Sequence, residues 1–164
     1  MQRRALLATV AVTGLSACGF RLRGAVRTPS FALLISGQPA GTGMALLARL
    51  RAAGTSVWLS GDPKAPATVN HILVIESDTR QRVVQGSNTS GLVRELKLKL
   101  NFSWRLVNAQ DMELLAPQAL SYEQDMSFNE SAALGKAEEE NSLFEAMQER
   151  AVQATIARLA RVQD

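Results

Sequence analysis

The sequence predicts an α+β two-layer sandwich, with two helices packed on one face of a mixed, roughly four-stranded β-sheet. Three observations carry that expectation. From Leu92 to Val107, the residues Leu96, Leu98, Leu100, Phe102, Trp104 and Leu106 alternate with Glu95, Lys97, Lys99, Asn101, Ser103 and Arg105. A period of two puts one set on a core and the other toward solvent or a partner. From Ala137 to about Val162, a second pattern places Leu143, Phe144, Met147, Ala151, Ala154, Thr155, Leu159 and Val162 on the broad apolar face of a helix. Strand, helix, hairpin-linked strands and a final helix then follow one another along the chain, an order that suits helices gathered on one side of a sheet.

Residues 1–17 read as an export signal. Arg3 and Arg4 precede an apolar run from Ala5 to Leu15, and small residues lead up to Cys18. That run is about half of the roughly 20 residues a membrane-spanning helix needs. Leu15-Ser16-Ala17-Cys18 matches the bacterial lipobox, in which the cysteine thiol is alkylated with a diacylglyceryl group before cleavage. Cys18 is then the lipidated N-terminus of the mature chain. One acyl chain binds a membrane marginally, at about 0.8 kcal/mol per buried methylene, so the three chains usual in such lipoproteins hold durably. Gly19 stands where an aspartate would favour inner-membrane retention, which directs the expectation to the outer membrane.

Residues 18–30 form a tether, with Pro29 and no apolar period, and 31–164 a single domain. Phe31 to Ser36 is a continuous apolar run closed by Gly37 and Pro39, the pattern of an inner strand. Gly41-Thr42-Gly43 opens a helix over Met44 to Ala53, with Thr42 as its N-cap and Gly54 as its end. The glycines lack the lysine and hydroxyl residue of a phosphate loop, so a plain turn is expected there. Thr55 to Leu59 is β-prone, and 61–66 is a proline-rich turn. Thr68 to Ser77 is a buried strand that continues through Arg80, Arg82, Val83 and Val84 to a polar loop at 85–91. After the alternating strand and a turn at 108–111, Met112 to Leu115 and Ala119 to Phe128 make a further strand. Its interruption at Pro117 predicts an edge position or a bulge. Asn129 to Lys136 connects to the last helix, where Glu138, Glu139 and Glu140 complement the helix dipole.

Cys18 is the single cysteine, so lipidation leaves no disulfide, thiolate metal site or cysteine nucleophile. His71, the single histidine, has no neighbouring second ligand and reads as structural. Neither a Ser/His/Asp set nor zinc spacing appears; no enzyme activity, metal or cofactor is expected, and a binding or assembly role remains. The formal charge of +3 includes Arg3 and Arg4, so the mature chain sits near neutrality and no nucleic-acid partner is indicated. Charge is unevenly spread: Cys18 to Arg105 holds twelve basic against four acidic residues, and Leu106 to Asp164 four against eleven. Either the two parts neutralise each other in the fold, or the sheet offers a cationic surface to an anionic ligand.

The lipobox with Cys-Gly-Phe-Arg-Leu-Arg-Gly over 18–24, the apolar strand, the helix carrying Leu47, Arg49, Leu50 and Arg51, and Ser-Ala-Ala-Leu-Gly-Lys-Ala-Glu-Glu-Glu over 131–140 resemble the LptE family of lipopolysaccharide-assembly lipoproteins. The resemblance spans nearly the whole mature chain and is sharpest at its two ends. It implies an outer-membrane, lipid-anchored, periplasm-facing protein that plugs the LptD β-barrel, assists its assembly and contacts lipopolysaccharide. It further implies lipopolysaccharide contact at Lys136, and a second basic contact near the middle hairpin for which Arg80, Arg82 or Arg94 is available. Lys97 and Lys99, with Arg105, add basic groups on one strand face. Arg21 and Arg23 read as membrane or barrel contacts. The alternative is a free-standing periplasm-facing lipoprotein that carries or chaperones an apolar ligand.

Overall fold

The computed structural model describes residues 28–162; Cys18, Arg21 and Arg23 lie outside them. In chain order the elements are β1 (Leu33–Gly37), α1 (Gly41–Ala52), β2 (Val57–Leu59), β3 (His71–Ser87), β4 (Val93–Val107), β5 (Glu113–Ser127), a 3-10 turn (Glu130–Ala132) and α2 (Ala133–Leu159). One sheet has the strand order β2-β1-β3-β4-β5. β1 runs parallel to β2 and β3, whereas β3, β4 and β5 form an antiparallel meander, so the sheet is mixed. The α+β class holds with five strands rather than four. The additional strand is the three-residue β2, which pairs along Leu33 to Ile35 at one edge.

Alternation in β4 does what its period dictates. Leu98, Leu100, Phe102, Trp104 and Leu106 are fully buried. They join Leu33 and Ile35 of β1, Leu46, Leu47 and Leu50 of α1, and Phe144, Met147, Ala151 and Ile156 of α2 in a single cluster. Both helices therefore lie on the same face of the sheet. At about 1.5–3 kcal/mol for each fully buried large side chain, this cluster is the main source of stability in a fold without a disulfide.

Both long hairpins turn by the same device. Asn88 Oδ1 accepts from the backbone of Ser90 and Leu92 at 3.1 and 2.9 Å, and Asn108 Oδ1 from Gln110 and Met112 at 2.9 Å each. The left-handed position falls on Gly91 in the first hairpin (φ 79°) and on Asp111 in the second (φ 59°). Pro117 behaves as expected of a proline in a sheet. It lies on the edge strand β5, where Ala116 and Pro117 bulge opposite Arg105 between the pairs Trp104/Gln118 and Leu106/Leu115.

Three boundaries differ from expectation. The first strand begins at Leu33, since Phe31 instead stacks on His71 with ring centroids 3.9 Å apart. Thr42 is not the N-cap of α1: the helix already includes it, and it is fully buried. The carboxylate of Asp78, reaching over from β3, takes that role by accepting from the backbone N–H of Ala40 (2.9 Å), Thr42 (3.3 Å) and Gly43 (2.8 Å). Gly43 lets the start of α1 pack closely against β3 and the preceding loop, because a Cβ there would fall 2.6 Å from Ile75 Cδ1 and 2.7 Å from Pro39 Cβ. Finally, α2 starts at Ala133 and not Ala137. Asn129 supports the preceding 3-10 turn by accepting from the Ser131 backbone at 3.1 Å, and this puts Lys136 inside the first helical turn.

Candidate functional site

The meander and α2 give the molecule two distinct ends. At about 3.3 Å per residue, the fifteen residues of β4 extend roughly 45–50 Å. One end gathers the entry of the chain at Thr28, the starts of β1 and β3, the β4–β5 turn and the last turn of α2. The opposite end, the tip, holds the β3–β4 turn, the end of β5 and the first turn of α2. Lys136 and Arg94 belong to the tip. Lys136 Nζ lies 3.1 Å from Ser127 Oγ and 2.7 Å from Glu139 Oε2, and the Arg94 carbonyl accepts from Phe128 N–H at 2.8 Å. The Lys136 side chain and the Arg94 backbone thus contact the successive residues Ser127 and Phe128 where β5 ends. Around them, Leu134 is 81% exposed, Val84 57% and Leu92 40%.

Arg80 and Arg82 stand farther down β3 on the side of the helices, and α2 engages both. Arg80 donates to Gln148 Oε1, with its guanidinium carbon 5.2 Å from the centre of the Phe144 ring. Arg82 Nε lies 3.3 Å from Glu140 Oε2. Lys97 and Lys99 project from the other face. Lys97 Nζ lies 3.6 Å from Glu123 and 3.7 Å from Asp125, and Lys99 Nζ 2.7 Å from Glu123. Hydrogen bonding to Lys99, reinforced by the charges of Lys99 and Lys97, holds the Glu123 carboxyl below the usual carboxylate range. Arg105 is similarly flanked by Asp111 at 3.1 Å and Glu76 at 3.6 Å.

The six basic residues singled out in the sequence therefore form three groups rather than one surface: Lys136 and Arg94 at the tip, Arg80 and Arg82 against α2, and Lys97 and Lys99 against β5. The uneven charge distribution along the chain largely resolves into pairs between strands, between strand and helix, between the two helices and between strand and turn. Basic groups of the first part meet acidic groups of the second at Arg49–Glu149, Arg82–Glu140, Lys97–Asp125, Lys99–Glu123 and Arg105–Asp111. Glu140 is the partner in one such pair and Glu139 pairs with Lys136 within α2, which gives both a role beyond the helix dipole. Among the described residues, no group of three or more His, Cys, Asp or Glu could hold a metal ion, and no helix is long and apolar enough to cross a membrane.

The family model described as LptE, Lipopolysaccharide-assembly, matches residues 38–159. Among solved structures, a lipoprotein B of Nitrosomonas europaea is 26% identical, superposes with a TM-score of 0.64, and is matched over 87% of this chain and 90% of its own. A rare lipoprotein B of Shewanella oneidensis is 18% identical with a TM-score of 0.59, the match covering 79% of this chain and 93% of that one. A minor lipoprotein of Acinetobacter baumannii, 18% identical with a TM-score of 0.57, is matched over 80% of this chain and 92% of its own. These last two share the fold. No curated protein matches the sequence.

Proposed function

The chain belongs to the LptE lipopolysaccharide-assembly family, and from that premise we propose that it is an outer-membrane lipoprotein, anchored through acyl chains on Cys18. In this reading it faces the periplasm, binds and plugs an LptD-type β-barrel, assists its assembly and helps deliver lipopolysaccharide to the outer leaflet. The family match across most of the folded domain is the observation that carries the proposal.

Lipopolysaccharide contact is assigned first to Lys136 and Arg94. Lipid A offers phosphates beside acyl chains, and the tip sets two cations among the exposed Leu134, Val84 and Leu92. Among the described residues, the carboxylate paired with Lys136 is that of Glu139; the two side chains are 19% and 46% exposed, and a solvent-reached pair at i,i+3 holds its lysine weakly enough for an incoming phosphate to compete for it. Arg82, Arg80, Lys97 and Lys99 follow in that order, since each must leave a partner on α2 or β5. A carrier of an apolar ligand would instead need a closed apolar cavity, whereas the depressions at the tip and at the end of α2 are open clefts.

The expected outcome for Lys136→Glu is weaker lipopolysaccharide binding, with the circular-dichroism spectrum and barrel co-purification unchanged. Undiminished binding at both low and moderate salt would overturn the assignment. Recovery of the lipidated chain from outer membranes without a large β-barrel, in one-to-one ratio, would overturn the plug role.

A further inference from the structure

At the end away from Lys136, the start of β5 and the last turn of α2 flank an open cleft of about 570 Å³ lined by Leu114, Leu115, Gln118, Arg158, Arg161 and Val162. Its two arginines differ from most cations of the fold. Arg49, Arg51, Arg82, Lys97, Lys99, Arg105 and Lys136 all have a carboxylate within 4 Å. Among the described residues, neither the Arg158 nor the Arg161 guanidinium has one, and Arg158 Nη1 is buried with no acceptor at all. The helix dipole accounts for cations in the last turn of α2 but leaves that N–H unsatisfied. That occluded nitrogen is closed to a ligand, but two guanidinium side chains without a carboxylate line a cleft walled by leucine and valine, and their accessible nitrogens suit the phosphate of an amphiphile whose apolar part rests on those walls.

The position of the cleft indicates where such a ligand would come from. Thr28 shares a shallow depression with Ala53 and Ile156, so the chain enters the domain beside the last turns of α2. Cys18 lies ten residues earlier, a span of at most about 33–36 Å when fully extended, and Arg21, Arg23 and Arg27 fall within it. Met112, 61% exposed, and Leu114, 40% exposed, stand at the same end.

We propose that this cleft binds the headgroup of an anionic phospholipid from the leaflet that holds the acyl anchor, with the phosphodiester on Arg158 and Arg161 and the glycerol and upper acyl carbons on Leu114, Leu115 and Val162. The proposal rests on the anchored-lipoprotein reading above, but it concerns the opposite end of the molecule from Lys136. It ties the end of the domain where the chain enters to the leaflet that holds the anchor.

The test uses the whole mature chain with Cys18→Ser, so that no acyl group contributes, in flotation with vesicles of phosphatidylglycerol and phosphatidylcholine against phosphatidylcholine alone. Binding to the anionic vesicles is expected, and Arg158→Gln with Arg161→Gln should weaken it roughly thirtyfold, as expected for two cations withdrawn from an anionic surface. Lys136→Glu should leave vesicle binding in place. Should the double variant fold poorly, Leu114→Glu at its exposed position takes its place and is expected to weaken binding as well. Equal retention of the folded double variant, which would leave the tether arginines as the cause, overturns the proposal. Equal binding to phosphatidylcholine alone, or full competition by millimolar inorganic phosphate, overturns it too. Lipopolysaccharide binding measured on the same variants separates the two readings: undiminished vesicle binding by the folded double variant rejects the cleft while loss of lipopolysaccharide binding in Lys136→Glu leaves the tip assignment standing.

Discussion

The two faces of the sheet are built from the same strands by opposite means. On the helix side, β4 contributes Leu98, Leu100, Phe102, Trp104 and Leu106, all fully buried. On the other side the same strand contributes Lys97, Lys99, Asn101, Ser103 and Arg105, and β5 answers with Glu123 and Asp125 opposite the lysines and Ser121 opposite Asn101. The first face is held by removal of apolar area from water, which salt does not screen and pH scarcely alters. The second is held by partly exposed ion pairs, each worth little and screened by salt. Stability and charge pattern are therefore separable in this protein, and basic residues on the open face spend their charge within the sheet.

Phe102→Ala makes the sharpest break between the faces. The ring is fully buried in the core cluster and opposite Leu120, so its removal should cost about 3–5 kcal/mol in denaturant unfolding. Ser103→Ala, one residue along and half-buried on the other face, should stay within about 0.5 kcal/mol of the parent. Equal losses from the two would mean that the open face is covered in solution. A smaller effect is expected of Asp78→Ala. This variant takes from α1 the acceptor of three backbone N–H groups, and capping losses of this kind run to about 1–2 kcal/mol. The denaturation midpoint should fall while the m-value holds, and Asp78→Asn should recover part of the loss.

Much of the buried face was legible in the sequence because its signals are local. The period of two in β4, the apolar stripe of α2 and the proline of β5 each report their own surroundings, and the structure follows all three. Asp78 was not legible, since its partners lie 35 to 38 residues away and nothing near it in sequence marks it as a cap. Thr42 drew the assignment by local propensity and lost it to tertiary contact. Gly135 obscured the start of α2; in the structure no atom lies within 4 Å of where its Cβ would be, so the glycine there marks no close contact. The basic residues were found as residues but not as groups. Charge counts forecast their partners on β5 and α2 only in aggregate, and which side of β3 carries Arg80 and Arg82 depends on the register shift between Ile75 and Ser77, where Glu76 bulges. Arg158 and Arg161 gave only the ordinary signal of cations at a helix end.

Glu123→Gln probes the open face by itself and should have the smallest effect. Because Lys99 and Lys97 depress the folded-state pKa of Glu123 below its ordinary 4.5, the unfolded chain takes up this proton first as pH falls. The contribution to stability is thus fully present above the unfolded value and disappears as pH drops through the folded one. Between pH 5 and 8, the parent should be slightly more stable than Glu123→Gln, with the difference shrinking at high salt. Below the folded pKa the two should unfold together. Lys97 keeps Asp125 at 3.7 Å in the variant, so the lost stabilisation belongs chiefly to Lys99. Denaturant unfolding of both proteins from pH 3 to 8 measures the difference. A gap that stays constant down to pH 3 would show that Glu123 acts through packing and not through charge, and the contrast between the two faces would then fail at its best-defined pair.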